Sequence, residues 1–443
     1  MSGQHFAPIF FERGKRGKHR LKFALRDLEL AVILLALDMK KTIRDIDLRG
    51  KRALVRVDYN VPIDEATGKI TDDSRIRETL PTLQYLLDAG AGIVLLTHFG
   101  RPKGQVVESL RVRFIASYLQ DMIKRDVHYA THAVGLEADA QVRSVAPGQI
   151  LLLENTRFYP GEEANDPAFA AALAAPGYDL YVNDAFGAAH RAHASTEGMA
   201  RFIKAEGKPC VAGLLMAREL EFLGQLLHNP ARPFVAILGG VKVSDKIGVI
   251  RNLLPKVDTL LVGGAMAYAF ESAMGRPVGT SYFKEADAPV AAELIELARE
   301  KGYDFRLPSD FLVADRDAAD ARVEHVPEGM IPLNMMGMDI GSETIASYSA
   351  IIERAKTVLW NGPMGRFEVK PFSRGTLEVA KAVARATDKG ALTIIGGGDS
   401  AAAVKQMDLD DRMSHVSTGG GASLEFLEGQ ELPGVAVLDD KVS

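Results

Sequence analysis

The sequence predicts an α/β protein made of two doubly wound parallel-sheet, Rossmann-like domains joined by a helical hinge. Three observations carry that expectation. Short Val/Ile/Leu-rich runs recur along the chain, Ala/Leu/Glu-rich stretches of helical pattern separate them, and the runs fall into two sets around one long helical pattern that ends in Asn-Pro and Arg-Pro breakers. Strands buried on both faces read as unbroken apolar runs, and parallel neighbours need helical crossovers. With 443 residues, 47% of them hydrophobic, the chain can bury two cores of ordinary size.

The first set of runs is "ALVRV" (53–57), "GIVLL" (92–96), "ILLLE" (150–154) and "YDLYV" (178–182). The second is "FVAIL" (234–238), "TLLVG" (259–263), "TVLW" (357–360) and "LTIIG" (392–396). Between them lie stretches such as "RETLPTLQYLLDAG" and "APVAAELIELAREKG". The domain boundary is expected near "AGLLMARELEFLGQLLHNPARPF" (212–234), because a helix closed by proline and followed at once by a strand is a stiff connector. This divides the chain into residues 39–222 with a tail 431–443, and residues 223–430.

Residues 1–38 read as an extension outside the fold. Seven Lys/Arg precede a short apolar stretch (30–37), which loosely resembles a signal peptide, but "ALDMKK" offers no small-x-small cleavage site. An amphipathic surface helix is the other reading, and Met39, followed by Lys-Lys, is a plausible start of the folded part. No apolar run reaches the roughly 20 residues needed to span a bilayer. The net charge of −5 makes no general case for nucleic acid or acidic membranes. A single cysteine, Cys210, excludes an internal disulfide framework and cysteine-rich metal sites. These totals fit a cytoplasmic protein that works on small molecules.

In open parallel sheets, ligands sit beyond the carboxyl ends of the strands. In the first half those ends lead to Asp58 and Asn60, then Arg75 and Arg77; to His98 and Arg101; to Arg157; and to His190, Arg191 and His193. One arginine after a strand is usually a solvated surface residue. Several converging ones repel unless an anion sits among them, and guanidinium forks match phosphate and carboxylate. Asp58 and Asn60 in such a basic pocket suit hydroxyl recognition, although "DYNVP" also reads as a turn opened by Asx chemistry. The expected ligand is small, hydroxylated and strongly anionic.

In the second half the strand ends are glycines: "LGGVKVSDK" (238–246), "VGGAMA" (262–267), "WNGPMGRFE" (360–368), "IIGGGDSAAAV" (394–404) and "VSTGGGASLEFLEG" (416–429). Five such junctions imply backbone brought against a flat or phosphorylated ligand. A strand, a tight turn and a helix start at 392–404 expose N–H groups to an anion, yet GxxxxGK[ST] is absent. Lys242 and Lys246, four apart, would share one face if a helix held both. Asp399 suits a phosphate-bound Mg²⁺ or a plain N-cap. A nucleotide phosphate opposite an arginine-lined acid means phosphoryl transfer. No general base is required if the acceptor is an already ionised carboxylate, so positioning and charge neutralisation would carry the rate. A catalytically silent protein that binds nucleotide or phospho-acid is the other reading. A dinucleotide dehydrogenase lacks its GxGxxG after the first strand.

"VRVDYNVP", "ITDDSRIRETLPT", "LTHFGRPKG", "LLLENTRFYPGEE", "NDAFGAAHRAHAST", "LGGVKVSDKI", "WNGPMGRFE", "GGGDSAAA" and "VSTGGGASLEFLEG", in unbroken order from about Met39 to the C-terminus, resemble the phosphoglycerate kinase family. The resemblance implies Mg²⁺-dependent phosphoryl transfer between ATP and 3-phosphoglycerate by a monomer of two hinged lobes, with the last residues returning to the N-terminal lobe. It implies an acid site of Asp58, Asn60, Arg75, His98, Arg101, Arg157 and Arg191. Arg75, Lys242, Gly398 and Gly421 take the catalytic roles. It assigns the nucleotide to Lys246, Gly239, Gly240, Gly263, Gly264, Met338, Asn361, Glu368, Gly397, Gly398, Asp399 and Ser400, with Asp399 on the metal. Val241, Ala265, Arg366, Ser400 and Ala188 depart from the family's usual residues.

Overall fold

The strand ends that the sequence marks as chemical are brought together by two sheets of the same design. The computed structural model describes residues 40–441 apart from Glu65; the expected extension, residues 1–38, and its Met39 boundary lie outside the described residues. In the N-terminal lobe the strands are β1 (Arg52–Val57), β2 (Gly92–Leu96), β3 (Val127–Tyr129), β4 (Ile150–Leu152), β5 (Leu180–Asp184) and β6 (Cys210–Ala212). They pair in the order β3-β4-β2-β1-β5-β6, all parallel. β2 is apolar throughout, β1 is apolar except for Arg52 and Arg56, and both are buried on both faces, as a sheet covered by helices demands.

The second lobe repeats the plan with β7 (Phe234–Leu238), β8 (Thr259–Val262), β9 (Phe305–Arg306), β13 (Thr357–Asn361), β14 (Leu392–Gly396) and β15 (His415–Val416). Their order is β15-β14-β13-β7-β8-β9, again all parallel. A small antiparallel sheet of β10 (Asp310–Ala314), β11 (Val323–Pro327) and β12 (Met336–Ile340) is attached. The sequence reading has no counterpart for it, since β11 is mostly exposed and carries no apolar run. The edge strands β3, β6, β9 and β15, two or three residues each, are too short to leave a periodic signal.

In each sheet the strand order reverses beside the first strand, between β1 and β5 and between β7 and β13. A reversal of this kind opens a crevice at the carboxyl ends. The register sets those ends level: Val57 pairs with Asp184 and Leu238 with Asn361. The two crevices are therefore lined by the residues after β1 and β5 in one lobe, and after β7 and β13 in the other.

The helix Leu214–His228 spans the stretch in which the boundary is expected. Its first turn is capped from the N-terminal lobe, where Asp184 Oδ1 accepts from the backbone N–H of Leu215 at 2.9 Å and Met216 at 3.1 Å. Its buried Glu219 reaches the other lobe, accepting from Thr418 N–H at 2.7 Å and lying 2.9 Å from His415 Nε2. The chain end returns to the first lobe as expected. Asp439 exchanges backbone hydrogen bonds with Lys41 and Cys210, Lys40 pairs with Asp440 at 2.8 Å, and Asn183 Nδ2 donates to Gly434 O at 2.8 Å.

Candidate functional site

At the first crevice a carboxylate and an imidazole sit inside a ring of guanidinium groups. Asp58 follows β1 directly; its Oδ2 is 3.1 Å from Arg75 Nη1, and its Oδ1 is 3.7 Å from His98 Nδ1. Burial alone would raise Asp58, but the Arg75 and Arg56 guanidiniums beside it hold its carboxyl below the usual range. Arg75, in the short helix Ser74–Arg77, also donates to Asn60 O at 3.1 Å. Asn60 Oδ1 accepts from Gly100 N–H at 2.9 Å, joining the loops after β1 and β2.

Arg56 escaped the sequence reading, which takes "ALVRV" only as a buried strand. It is wholly buried, its Nε donating to Ser195 Oγ at 2.8 Å and its Nη2 lying 3.1 Å from His98 Nδ1. A guanidinium can only donate, so Nδ1 accepts, and the proton of the neutral ring sits on Nε2. Burial pushes His98 well below its ordinary value, with Arg56, Arg157 and Arg75 adding to the effect against the opposing pull of Asp58. His193 is pushed down to about 4 by burial and by Arg157, Arg56 and Arg191. Arg157 donates to Gly100 O at 2.8 Å and lies 3.1 Å from Glu163. Arg101 and Arg191 are exposed and have no ion-pair partner among the described residues. The pocket keeps its histidines neutral and leaves cations unneutralised, the state of a site awaiting an anion.

At the second crevice three loops lie backbone on backbone. Gly240 N–H donates to Pro363 O, Gly264 N–H to Met364 O and Gly239 N–H to Asn361 O, each at 2.9 Å. A Cβ on Gly264, where φ is +66°, would stand 2.4 Å from Gly240 N and 2.7 Å from Pro363 O. Gly239 and Gly263 are likewise pressed against the 362–364 loop. At these positions the glycines are required by chain meeting chain.

The loop after β14 is different. Gly397 caps the helix Gly398–Gln406 at φ +86°, and a Cβ on Gly398 would meet nothing within 4 Å. Ser400 Oγ is buried and accepts from Gly362 N–H at 2.5 Å. Asn361 Nδ2, buried beside Gly397, has no hydrogen-bond partner. An orphaned donor next to an open helix N-terminus is what a phosphate oxygen satisfies. Asp399 is exposed on the first turn, and among the described residues no group of three or more His, Cys, Asp or Glu gathers to hold a metal. One carboxylate beside phosphates is the usual Mg²⁺ arrangement, so the residues present fit a metal that arrives on a nucleotide.

Lys246 and Lys242 part company. The helix expected to hold both begins only at Ile247, because the 239–246 segment is tied into the glycine loops. Lys246 turns inward and donates to Gly239 O and Asn361 O, and burial pushes it down to about 8, against the pull of Asp399 and Asp245. Lys242 stays on the loop, part-exposed, 3.2 Å from Asp245. Glu368 is held 3.1 Å from Arg366, which also reaches Asp317 at 3.2 Å. Met338, on β12, accepts Arg366 N–H through its carbonyl at 2.9 Å, so Met338 and Glu368 flank one arginine.

The lobes meet through the second glycine triplet. A Cβ on Gly419 would strike Phe186, and one on Gly421 would stand 2.8 Å from His190 Cε1. Gly421 opens the helix Gly421–Leu427, while Gly420 faces open space. A narrow cavity between the lobes is lined by Asp58, Arg75, Asp184, Gly187 and Thr418.

Comparison with known proteins agrees with this geometry. A family model described as phosphoglycerate kinase matches residues 43–430. The chain is 54% identical over 402 residues to the phosphoglycerate kinase of Herpetosiphon aurantiacus, covering 91% of this chain and all of that one. It is 53% identical to that of Moorella thermoacetica with the same coverage. Among solved structures it is similar to phosphoglycerate kinase from Coxiella burnetii (TM-score 0.80, 40% identity, 90% of this chain and 98% of that chain). It is also similar to the one from Pyrococcus horikoshii (TM-score 0.78, 32% identity, with the same coverage).

Proposed function

Because the chain belongs to the phosphoglycerate kinase family, and so catalyses phosphoryl transfer between ATP and the carboxyl group of 3-phosphoglycerate in glycolysis, we propose a division of that work between its two crevices. The N-terminal crevice holds the acid. Asp58 and Asn60 address its hydroxyl, His98 donates through Nε2, and Arg101, Arg157 and Arg191 neutralise its phosphate. The second crevice holds the nucleotide. Asn361, Lys246, Ser400 and the N–H groups of Gly397 and Gly398 face its phosphates, Asp399 takes the Mg²⁺ that the nucleotide brings, and Glu368 and Met338 lie toward the nucleoside. Gly239, Gly240, Gly263 and Gly264 shape the wall behind it.

Arg75 and Lys242 are the cations that remain adjustable. Both lie in part-exposed pairs with a carboxylate, Asp58 and Asp245. Each is free to leave it for the equatorial oxygens of the group in flight, which the N–H groups at Gly398 and Gly421 also face. The acceptor carboxylate is ionised at neutral pH, so no protein base is needed and the chain contributes position and positive charge. The reading extends to a monomeric, cytoplasmic enzyme divided at residues 222/223, with the 431–443 tail on the first lobe.

The observation that carries the proposal is the contrast between the crevices: unpartnered cations in one, and in the other an orphaned Asn361 donor beside an open helix N-terminus. Arg75→Ala tests it. Turnover of 3-phosphoglycerate with ATP is expected to fall by a factor of about 100 or more, with nucleotide affinity within about twofold of the parent. A variant that kept kcat and lost only acid affinity would reduce Arg75 to a binding residue.

A further inference from the structure

Arg75 rides on a segment that is clasped from both sides. On one side Glu78, just past the helix Ser74–Arg77, pairs with Arg218 of the helix Leu214–His228. On the other, Lys405 crosses from the nucleotide lobe. Its Nζ lies 2.6 Å from Asp72 Oδ1 and 2.9 Å from Ser74 Oγ. Ser74 also donates to Asp72 through both its hydroxyl and its backbone N–H. Lys405 stands in the last turn of Gly398–Gln406, the helix whose first turn carries Gly398, Asp399 and Ser400. One rigid helix of about 13 Å thus has the phosphate loop at one end and, at the other, a cation one residue away from Arg75.

We propose that Lys405 is a positioning residue for Arg75: by bridging Asp72 and Ser74 it locks the segment that bears Arg75 to the helix that bears the phosphate loop. The proposal rests on the assignment of Arg75 to the transferring group. The bridge joins three side chains across two lobes, so it holds only over a narrow range of lobe separations and angles. A half-exposed pair shifts an equilibrium by a factor of up to about five. That is a large effect on lobes that must open and close in every turnover. Arg75 lacks such a tie of its own: among the described residues its guanidinium hydrogen-bonds to Asp58 and Asn60, both on its own lobe, and its position relative to the nucleotide is set through the segment.

The test uses Lys405→Met, Asp72→Asn and the double variant in the full chain. These half-exposed substitutions leave the cores intact. The two single variants are expected to lose about two- to fivefold in kcat with nucleotide KM nearly unchanged, and the double variant to lose no more than either single. The charge-swapped pair Lys405→Asp/Asp72→Lys is expected to recover most of the loss. In parallel, labels on the two lobes read the fraction of closed molecules with both substrates present, which is expected to drop in Lys405→Met and in the parent at high salt. Losses that add in the double variant, or an unchanged closed fraction and kcat in Lys405→Met, would overturn the proposal. The distance measurement reads the clasp independently of chemistry, so it stands apart from the Arg75→Ala result that judges the parent reading.

Discussion

Asp184 shows how one side chain connects the first crevice to the helix Leu214–His228. Its Oδ1 caps the helix Leu214–His228, while Oδ2 is buried without a partner. Burial pushes the carboxyl up to about 7, although Thr82 and the Met216 and Leu215 N–H groups favour the charged form. A carboxyl raised on folding binds its proton more tightly in the native chain than in the unfolded one. Its contribution to stability is complete below about pH 4 and is lost as pH rises through about 7. Asp184→Asn keeps an acceptor for the helix and removes the titration. Denaturant unfolding should show the parent losing on the order of 3 kcal/mol between about pH 4 and 8 that the variant does not lose; parallel curves would show that Asp184 is not the titrating group. Arg56 teaches the complementary lesson. An arginine inside an apolar strand is the feature to question, because only built partners, here the Asp58 and Glu162 carboxylates and the acceptors on Ser195 and His98, make its burial tolerable.

Among the elements, the glycine loops divide into two kinds that a string of letters does not separate. Gly264 is held by other backbone on every side, whereas Gly398 faces open space. Gly264→Ala is therefore expected to cost about 2 kcal/mol or more through its left-handed φ and its collision with Gly240 and Pro363, read as a lower unfolding midpoint. Gly398→Ala should leave the midpoint within about 0.5 kcal/mol and instead weaken nucleotide binding. Equal effects of the two on stability would refute this division. The sequence reading put all five glycine junctions against the ligand; in the folded chain those after β7, β8 and β13 serve one another first. The same crowding keeps Lys242 off the helix that four-residue spacing implied, since that spacing carries meaning only where a helix exists.

For the whole molecule, the two sheets supply the same crevice twice, and the helix Leu214–His228 and the returning tail determine how the crevices stand to each other. Contacts between the lobes run through Glu219 to His415 and Thr418, Gly421 against His190, and Lys405 to Asp72. A mechanism in which the lobes close on two bound substrates would expel water and strengthen every charge interaction in the site. Small-angle scattering should show a smaller radius of gyration with 3-phosphoglycerate and nucleotide together than with either alone. An unchanged radius would rule out a mechanism in which the lobes unite the reactants.

The amino-acid order by itself determined the class of fold, and it pointed to the loops at the carboxyl ends of the strands and to most of the cations that the structure gathers at the first crevice. Apolar runs, arginines after strands and glycine breaks are local features, and local sterics and burial act on them wherever the chain goes. Only the tertiary structure decided that Arg56 lies under His98 and selects its tautomer, that some glycines face backbone and others face open space, and that Lys405 meets Asp72 across more than 300 positions of chain. Those outcomes depend on which distant groups share a dielectric, a hydrogen bond or a van der Waals gap, and such distances come into being only when the sheets are assembled.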